Sequence, residues 1–167
     1  MKPVVGIIMG SDSDLQVMQE AANILKQFEI SYEIGVYSAH RSPHRTADYV
    51  KSAHERGLKI IIAGAGSSAH LAGVSAAETT LPVIGVPIDS SPLSGLDSLL
   101  STVQMPPGVP VATMGVGKSG ATNAGIFAVQ ILALEDEKLM KRLVAYKDQL
   151  EKSVAENSKK MQEQGFR

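Results

Sequence analysis

The sequence predicts an α/β domain built on a parallel β-sheet. Apolar runs rich in β-branched residues predict five strands, at 4–9, 32–37, 58–63, 81–88 and 109–114. Strands that alternate with helical patterns form a parallel sheet wound by right-handed crossovers. A chain of 167 residues is long enough for one such domain. We expect a single domain with an α/β core over 1–134 and a helical extension over 135–167.

The connections between the predicted strands carry helix patterns. Apolar residues at helical spacing follow the first strand, at Leu15, Met18, Ala22, Leu25 and Phe28. Ser13 with Gln16 fits a capping box at the start of this helix. The next helix is predicted to begin at Ser42 and Pro43 and to end at Gly57.

Two more helices are predicted in the last third of the chain. Residues 121–134 are small or apolar nearly all round, as in a helix buried on several sides. A helix from about Glu135 to Gln164 carries an apolar stripe, formed by Leu139, Leu143, Tyr146, Leu150 and Val154. It would be about 45 Å long, whereas a domain of this size has a radius of gyration of about 15 Å. We therefore expect it to pack on a neighbouring subunit; the alternative is a monomer whose helix frays after Glu156.

Composition excludes several classes of protein. The 16 basic and 17 acidic side chains leave a net charge of -1, so no broad cationic field attracts nucleic acid or an anionic membrane. The absence of cysteine removes disulfides, thiolate nucleophiles and the usual structural zinc sites. No apolar run has the length of a membrane span, and the first residues lack a signal-peptide pattern. We expect a soluble cytoplasmic protein.

Polar motifs follow each predicted strand. They are GSDSD (10–14), SAHRSP (38–43), GAGSSAH (64–70), PIDSSP (87–92) and GVGKSG (115–120). In an open parallel sheet the carboxyl ends of the strands form one edge, and ligands bind along it. The five motifs therefore predict one composite site.

Two glycine patterns resemble nucleotide-binding motifs. Residues 64–69 and 115–120 fit GxGxxG or GxGxxA, but neither follows the first strand, which disfavours a dinucleotide site. Residues 112–119 fit a P-loop with Lys118 as its lysine and Ala112 in place of the first glycine. Asp89 would be its magnesium-holding acid. We interpret this segment as a glycine-rich turn with a solvated lysine.

The four histidines divide into two pairs. His44 and His54 lie within a predicted helix, where a surface position is the expected one. His40 and His70 lie in loops at the predicted ligand edge. An imidazole has an unperturbed pKa of about 6.5 and can both give and take a proton near neutrality. These two are candidate acid/base groups, and their spacing does not support a metal site.

The GSDSD turn combines hydroxyls with carboxylates. Ser11, Ser13 and the free N–H groups of a helix start can bind a phosphate, with Arg41 as countercharge. Asp14 can accept hydrogen bonds from a vicinal diol. Together these residues suggest a site for a ribose 5-phosphate unit.

Simpler roles for the same residues stay open at this point. Arg41 could instead act as a surface cation paired with Asp12 or Glu33. Asp12 and Asp14 are equally able to serve only as caps of the helix start.

The motifs also match a known family in order and spacing, from about Val4 to Leu134. GSDSD fits a GSxSD pattern, SAHRSP fits SAHRTP, and GAGSSAHLAG fits GAGGAAHLPG. The match continues through LPVIGVPI and LSGLDSLLSTVQMP. The chain thus resembles the N5-carboxyaminoimidazole ribonucleotide mutase family of purine biosynthesis.

This resemblance implies a three-layer flavodoxin-like subunit, with helices on both faces of the sheet, in a homo-octamer. It implies transfer of a carboxylate from N5 to C4 of a ribonucleotide, through CO2 released in a closed pocket, with no ATP, metal or other cofactor. His40 matches the acid/base position, and Ser11, Asp14 and Arg41 match the ribose-phosphate contacts. The positions that match the pocket lining are Ser38, Gly66 and His70, and the neighbouring Ser67 is also expected to bind substrate.

The chain departs from the family pattern in loops that would close over CO2. Ser67 and Ser68 replace glycine and alanine, Ala72 replaces proline, and Pro107 replaces glycine. Two other functions therefore stay open. One is a carboxylase that uses free CO2 directly, although SSAHLAG (67–73) resembles the mutase class better. The other is a noncatalytic nucleotide-binding module.

Overall fold

A computed structural model describes residues 2–166 of the chain, and they form a five-stranded parallel sheet. The strands are β1 (Val5–Met9), β2 (Tyr32–Val36), β3 (Ile60–Gly66), β4 (Val83–Ile88) and β5 (Ala112–Thr113). Their order is β2-β1-β3-β4-β5, and each neighbouring pair is parallel. This is the flavodoxin-like order. The predicted fold class is confirmed.

Seven α-helices connect and follow these strands in the described part of the chain. They are α1 (Leu15–Gln27), α2 (Pro43–Lys51), α3 (Ala53–Arg56), α4 (Leu71–Glu78), α5 (Leu96–Val103), α6 (Lys118–Ala133) and α7 (Glu137–Glu163). The helix predicted from Ser42 to Gly57 is in fact divided into α2 and α3. Ser52 separates them, and its hydroxyl donates to the carbonyl oxygens of Asp48 and Tyr49. Gly57 ends α3 with a φ of 98°.

The start of α1 differs from the prediction. The capping box is formed by Ser11 and Asp14, not by Ser13 and Gln16. The amide of Ser11 donates to Asp14 Oδ2 at 3.1 Å, and a short 3-10 turn, Asp12–Asp14, precedes the helix. Leu15 therefore begins α1 on an exposed face, with 45% of its surface accessible, instead of contributing to the core.

Helices pack on both faces of the sheet, as the resemblance implied. On one face Ile61 joins a buried cluster with Val50 of α2 and Leu71 of α4. On the other face α1 lies so close to the sheet that a Cβ on Gly64 would stand 2.2 Å from the sulfur of Met18. The polar loops at the carboxyl ends of the strands thus project from a sheet in which β1 and β4 are buried throughout, whereas the edge strands β2 and β5 are not.

The chain separates into two compact units, Met1–Ala128 and Val129–Arg167. In the second unit α7 is continuous through Glu156 to Glu163, without the fraying that was the alternative interpretation, and its packing on a neighbouring subunit stays a prediction. Asp136 caps it by accepting from the amides of Lys138 and Leu139, at 2.9 and 3.0 Å. The predicted division at residue 134 stays a prediction. Among the helices of residues 2–166, none is both long and apolar enough to cross a membrane.

Candidate active site

A cavity of about 280 Å³ lies where the loops after β1, β2, β3 and β4 meet. All predicted site residues except Ser67 line it: Ser11, Ser13, Asp14, Ser38, His40, Arg41, Gly66 and His70. Four of the five polar motifs therefore form the composite site expected at this edge. The fifth, GVGKSG, does not contribute to the lining, and Lys118 within it is exposed.

The cavity is also lined by residues that were not among the predicted site residues. They are Gly10, Ala39, Ala65, Ser68, Leu71 and Ser90. Ser90 belongs to PIDSSP, whose place after β4 was the available signal. Ser67 does not line the cavity, and its hydroxyl instead lies 3.5 Å from that of Ser90.

The loop that carries His40 is held by its own hydroxyls. The carbonyl oxygen of Ser38 accepts from the amide and hydroxyl of Ser42 and from the hydroxyl of Thr46, at 3.0 to 3.2 Å. The hydroxyl of Ser38 in turn accepts from the amide and Nε of Arg41, at 3.1 and 3.4 Å. His40 therefore stands in a loop whose backbone is fixed on both sides.

Arg41 is bound to the loops, not paired with a carboxylate. Its Nη2 donates to the carbonyl oxygen of Gly10 at 2.6 Å, which ties the loop after β2 to the loop after β1. Glu33 pairs with Arg56 instead, and no ion pair joins Arg41 to Asp12 among residues 2–166. The interpretation of Arg41 as an ordinary surface ion pair is therefore wrong. Its guanidinium brings a fixed positive charge to the cavity wall.

Asp14 is a buried carboxylate in the cavity wall, only 6% exposed. Burial raises the pKa of Asp14 above its usual value, although the hydrogen bond from Ser11 and the charge of Arg41 act in the opposite direction. Asp14 caps the helix start and also faces the cavity. The capping and binding interpretations of this residue are therefore compatible.

The two candidate acid/base groups are in direct contact. His40 Nε2 lies 2.7 Å from His70 Nδ1, and the ring planes are 89° apart. His44 and His54 are exposed on α2 and α3 and do not line the cavity. Among residues 2–166 no group of three or more His, Cys, Asp or Glu side chains is arranged to hold a metal ion.

Backbone and small side chains close the far wall of the cavity. A Cβ on Gly66 would lie 1.8 Å from the hydroxyl oxygen of Ser90, so glycine is required for the two loops to approach this closely. Ser67 follows with a φ of 51°, a conformation that favours glycine. The departure from the family glycine at this position thus falls on a strained backbone.

The site combines a fixed cation, a helix start and two imidazoles in contact. The cation and the helix start suit an anionic group, and the imidazoles suit proton transfer beside it.

Comparisons with known proteins agree with the predicted resemblance. A sequence model of the AIR carboxylase family matches residues 4–153. The N5-carboxyaminoimidazole ribonucleotide mutase of Pyrococcus horikoshii is 53% identical over 165 residues, 99% of this chain and 92% of that protein. The mutase of Bacillus subtilis is 54% identical, over 95% of this chain and 98% of that protein. The solved structure of Treponema denticola PurE, 28% identical, superimposes with a TM-score of 0.86 and covers 95% of this chain and 98% of that one. This chain therefore belongs to the AIR carboxylase family.

Proposed function

We propose that this chain catalyses the N5-carboxyaminoimidazole ribonucleotide mutase reaction, which moves a carboxylate from the exocyclic N5 to the ring carbon C4. The observation that carries the proposal is the contact between His40 and His70 beside the Arg41 guanidinium, within one cavity. Relatives that share more than half of their residues with this chain, over nearly its whole length, are named for this activity.

The ribose 5-phosphate unit is proposed to lie against the GSDSD turn. Arg41 uses Nε and Nη2 to bind Ser38 and Gly10, so Nη1 is left to donate to a phosphate. Ser11 and Ser13 line the same wall at the helix start, where the helix dipole favours an anion. Asp14 is proposed to accept from the ribose hydroxyls. The imidazole ring of the substrate then faces His40.

The chemistry needs one proton donor that also recovers a proton. His40 gives a proton to N5 as the N5–carboxylate bond breaks, and CO2 is released within the cavity. C4 then forms a bond to CO2 and returns its own proton to His40. Protons and electrons balance in this sequence without ATP, metal or another cofactor. Confinement of CO2 between Gly66, Ser38 and the substrate makes recapture effectively unimolecular.

The proposal is tested with purified protein and freshly prepared N5-carboxyaminoimidazole ribonucleotide, without ATP or added metal. We expect the C4-carboxylated isomer to form far faster than in the absence of protein. Product only from aminoimidazole ribonucleotide and CO2 would instead identify a direct carboxylase. Tight nucleotide binding with neither reaction would identify a noncatalytic binding module.

The proposed role of His40 is tested by His40→Asn. We expect kcat to fall by at least 100-fold, because positioned acid/base groups contribute about 10²- to 10⁴-fold. Product should still bind, since the phosphate contacts lie on other residues. His54→Asn, on the exposed surface of α3, is the matched control and should leave kcat unchanged. Full turnover by His40→Asn would contradict the assignment.

We also propose that the chain functions as a homo-oligomer, an octamer by its resemblance, in the cytoplasm. Three apolar side chains on α5 are exposed in the single chain: Leu96, Leu100 and Val103. Exposed apolar stripes of this kind support subunit contacts. The absence of cysteine suits a reducing compartment. The molecule that binds in the cavity is proposed to be a small ribonucleotide, and no binding to nucleic acid or to a membrane is proposed.

A further inference from the structure

The contact between the two cavity histidines is a hydrogen bond with only two possible directions. His40 Nε2 and His70 Nδ1 are 2.7 Å apart, so one of these nitrogens carries a proton and the other presents a lone pair. The perpendicular rings, with centroids 4.9 Å apart, direct the two nitrogens towards each other instead of stacking the faces. The direction of this bond fixes the tautomer of both neutral rings.

One direction agrees with the intrinsic preference of both rings. If His40 Nε2–H donates to His70 Nδ1, each neutral ring carries its proton on Nε2, which is the tautomer that histidine ordinarily prefers. The reverse direction requires both rings to carry the proton on Nδ1. Two unfavourable tautomers would then have to be offset by other contacts of the Nδ1 proton in His40.

We propose that His70 is a positioning residue that accepts the hydrogen bond from His40 Nε2–H and so makes Nδ1 of His40 the proton-transfer atom of the site. This inference rests on the proposed function. The proton from C4 arrives at the Nδ1 lone pair, and the same nitrogen delivers a proton to N5. When Nδ1 is protonated, the Nε2–H bond to His70 becomes charge-assisted and stabilises the imidazolium.

The hydrogen bond between the rings has room for one added proton, on Nδ1 of His40. Arg41 and Asp14 are the charged side chains that share the cavity wall with the histidines. Arg41 donates to Gly10 and Ser38, and Asp14 accepts from the amide of Ser11. The first turn of α4, which follows His70, has no acidic residue. A proton added to His70 Nδ1 would also break the hydrogen bond.

Both rings are carried by backbone that can hold this geometry. His40 lies between Ser38 and Ser42, whose hydroxyls form hydrogen bonds with the backbone of this loop. His70 is the N-cap of α4, and its amide donates to the carbonyl oxygen of Ser68 at 2.9 Å. The hydrogen bond therefore joins the loops after β2 and β3, and His70 can orient His40 without itself transferring a proton.

Two variants of His70 test whether the site needs a hydrogen-bond acceptor at this position or only a side chain of similar size. His70→Leu places a methyl group near the position of Nδ1, whereas His70→Asn can place an amide oxygen there. We expect His70→Leu to lower kcat by 10-fold or more with little change in KM, and His70→Asn to stay within about threefold of the wild type. Equal losses in both variants, or no loss in His70→Leu, would overturn the proposal.

A second measurement determines the tautomers of the two histidines directly, without substrate and without a variant. In wild-type protein labelled with ¹⁵N-histidine, at a pH well above 6.5, we expect Nε2 of both His40 and His70 to be protonated and both Nδ1 atoms to be lone-pair nitrogens. A proton on Nδ1 of either ring would overturn the proposal. Because this spectrum is recorded without substrate, an inactive wild type with the expected tautomers would contradict only the mutase assignment.

Discussion

Ser67 is the residue at which a departure from the family pattern coincides with a left-handed backbone. Its φ of 51° lies in the left-handed region, which costs an L-residue with a side chain about 1–2 kcal/mol. The family pattern places glycine here, and glycine adopts this conformation without strain. The neighbouring Ser68 is not among the described residues with positive φ.

We expect Ser67→Gly to raise the free energy of unfolding by up to about 1 kcal/mol, because the relief of strain exceeds the added entropy of the unfolded glycine. Ser68→Gly is the matched control and should lower it by about 0.4–1 kcal/mol. Urea unfolding at one fixed protein concentration measures both. A loss of stability in Ser67→Gly equal to that of the control would contradict the strain at Ser67.

Most of the candidate site could be predicted residue by residue because it lies at strand ends. Polar residues such as Ser11 and His40 directly follow apolar runs, and a parallel sheet brings such positions to one edge. Ser67 lies outside the cavity lining, on a left-handed backbone, and its predicted part in substrate binding stays a prediction. The contact between His40 and His70 was beyond prediction, since it depends on two loop conformations far apart in sequence.

At the scale of elements, the residue at which the turn after β1 begins depends on a backbone hydrogen bond within the sheet. Two overlapping patterns, Ser11 with Asp14 and Ser13 with Gln16, compete for the capping box. The amide of Gly10 still donates to Gly64 across the sheet at 3.2 Å. The turn therefore begins at the next residue, Ser11, and the first pattern is used. The local sequence could not predict this choice, because the hydrogen bond between Gly10 and Gly64 joins residues far apart in the chain.

We expect Ser11→Ala to lower the free energy of unfolding by about 1 kcal/mol, because it removes the cap of the first turn. Ser13→Ala, two residues along, should cost clearly less, since the hydroxyl of Ser13 caps nothing in this turn. Urea unfolding of ligand-free protein compares the two variants. A greater loss in Ser13→Ala would contradict the observed capping box.

Strand boundaries also follow tertiary pairing more than propensity. The sequence predicts the third strand at 58–63, but β3 continues to Gly66 because Gly64, Ala65 and Gly66 pair with β4. Glycine and alanine are poor strand formers, so their pairing is imposed by the neighbouring strand. The strand at 109–114 is reduced to Ala112–Thr113 for the converse reason, since only two residue pairs join it to β4.

At the scale of the whole molecule, the apolar stripe of α7 is only partly covered in the single chain. Leu139 and Leu143 are buried, whereas Leu150 and Val154 are exposed, the latter by 70%. At 1.5 Å per residue the 27 residues of α7 span about 40 Å. An apolar stripe that continues beyond its buried part suits a contact with a second copy of the chain.

We expect light scattering to give a mass several times the 17.7 kDa of one chain, and about eight times it for the proposed octamer. Val154→Glu should lower that mass at micromolar concentration, because a carboxylate buried in a subunit contact costs several kcal/mol. Ala155→Glu adds the same charge about 100° further round the helix, away from the stripe, and should leave the mass unchanged. A wild-type mass near 17.7 kDa, or equal dissociation by both variants, would contradict the role proposed for α7.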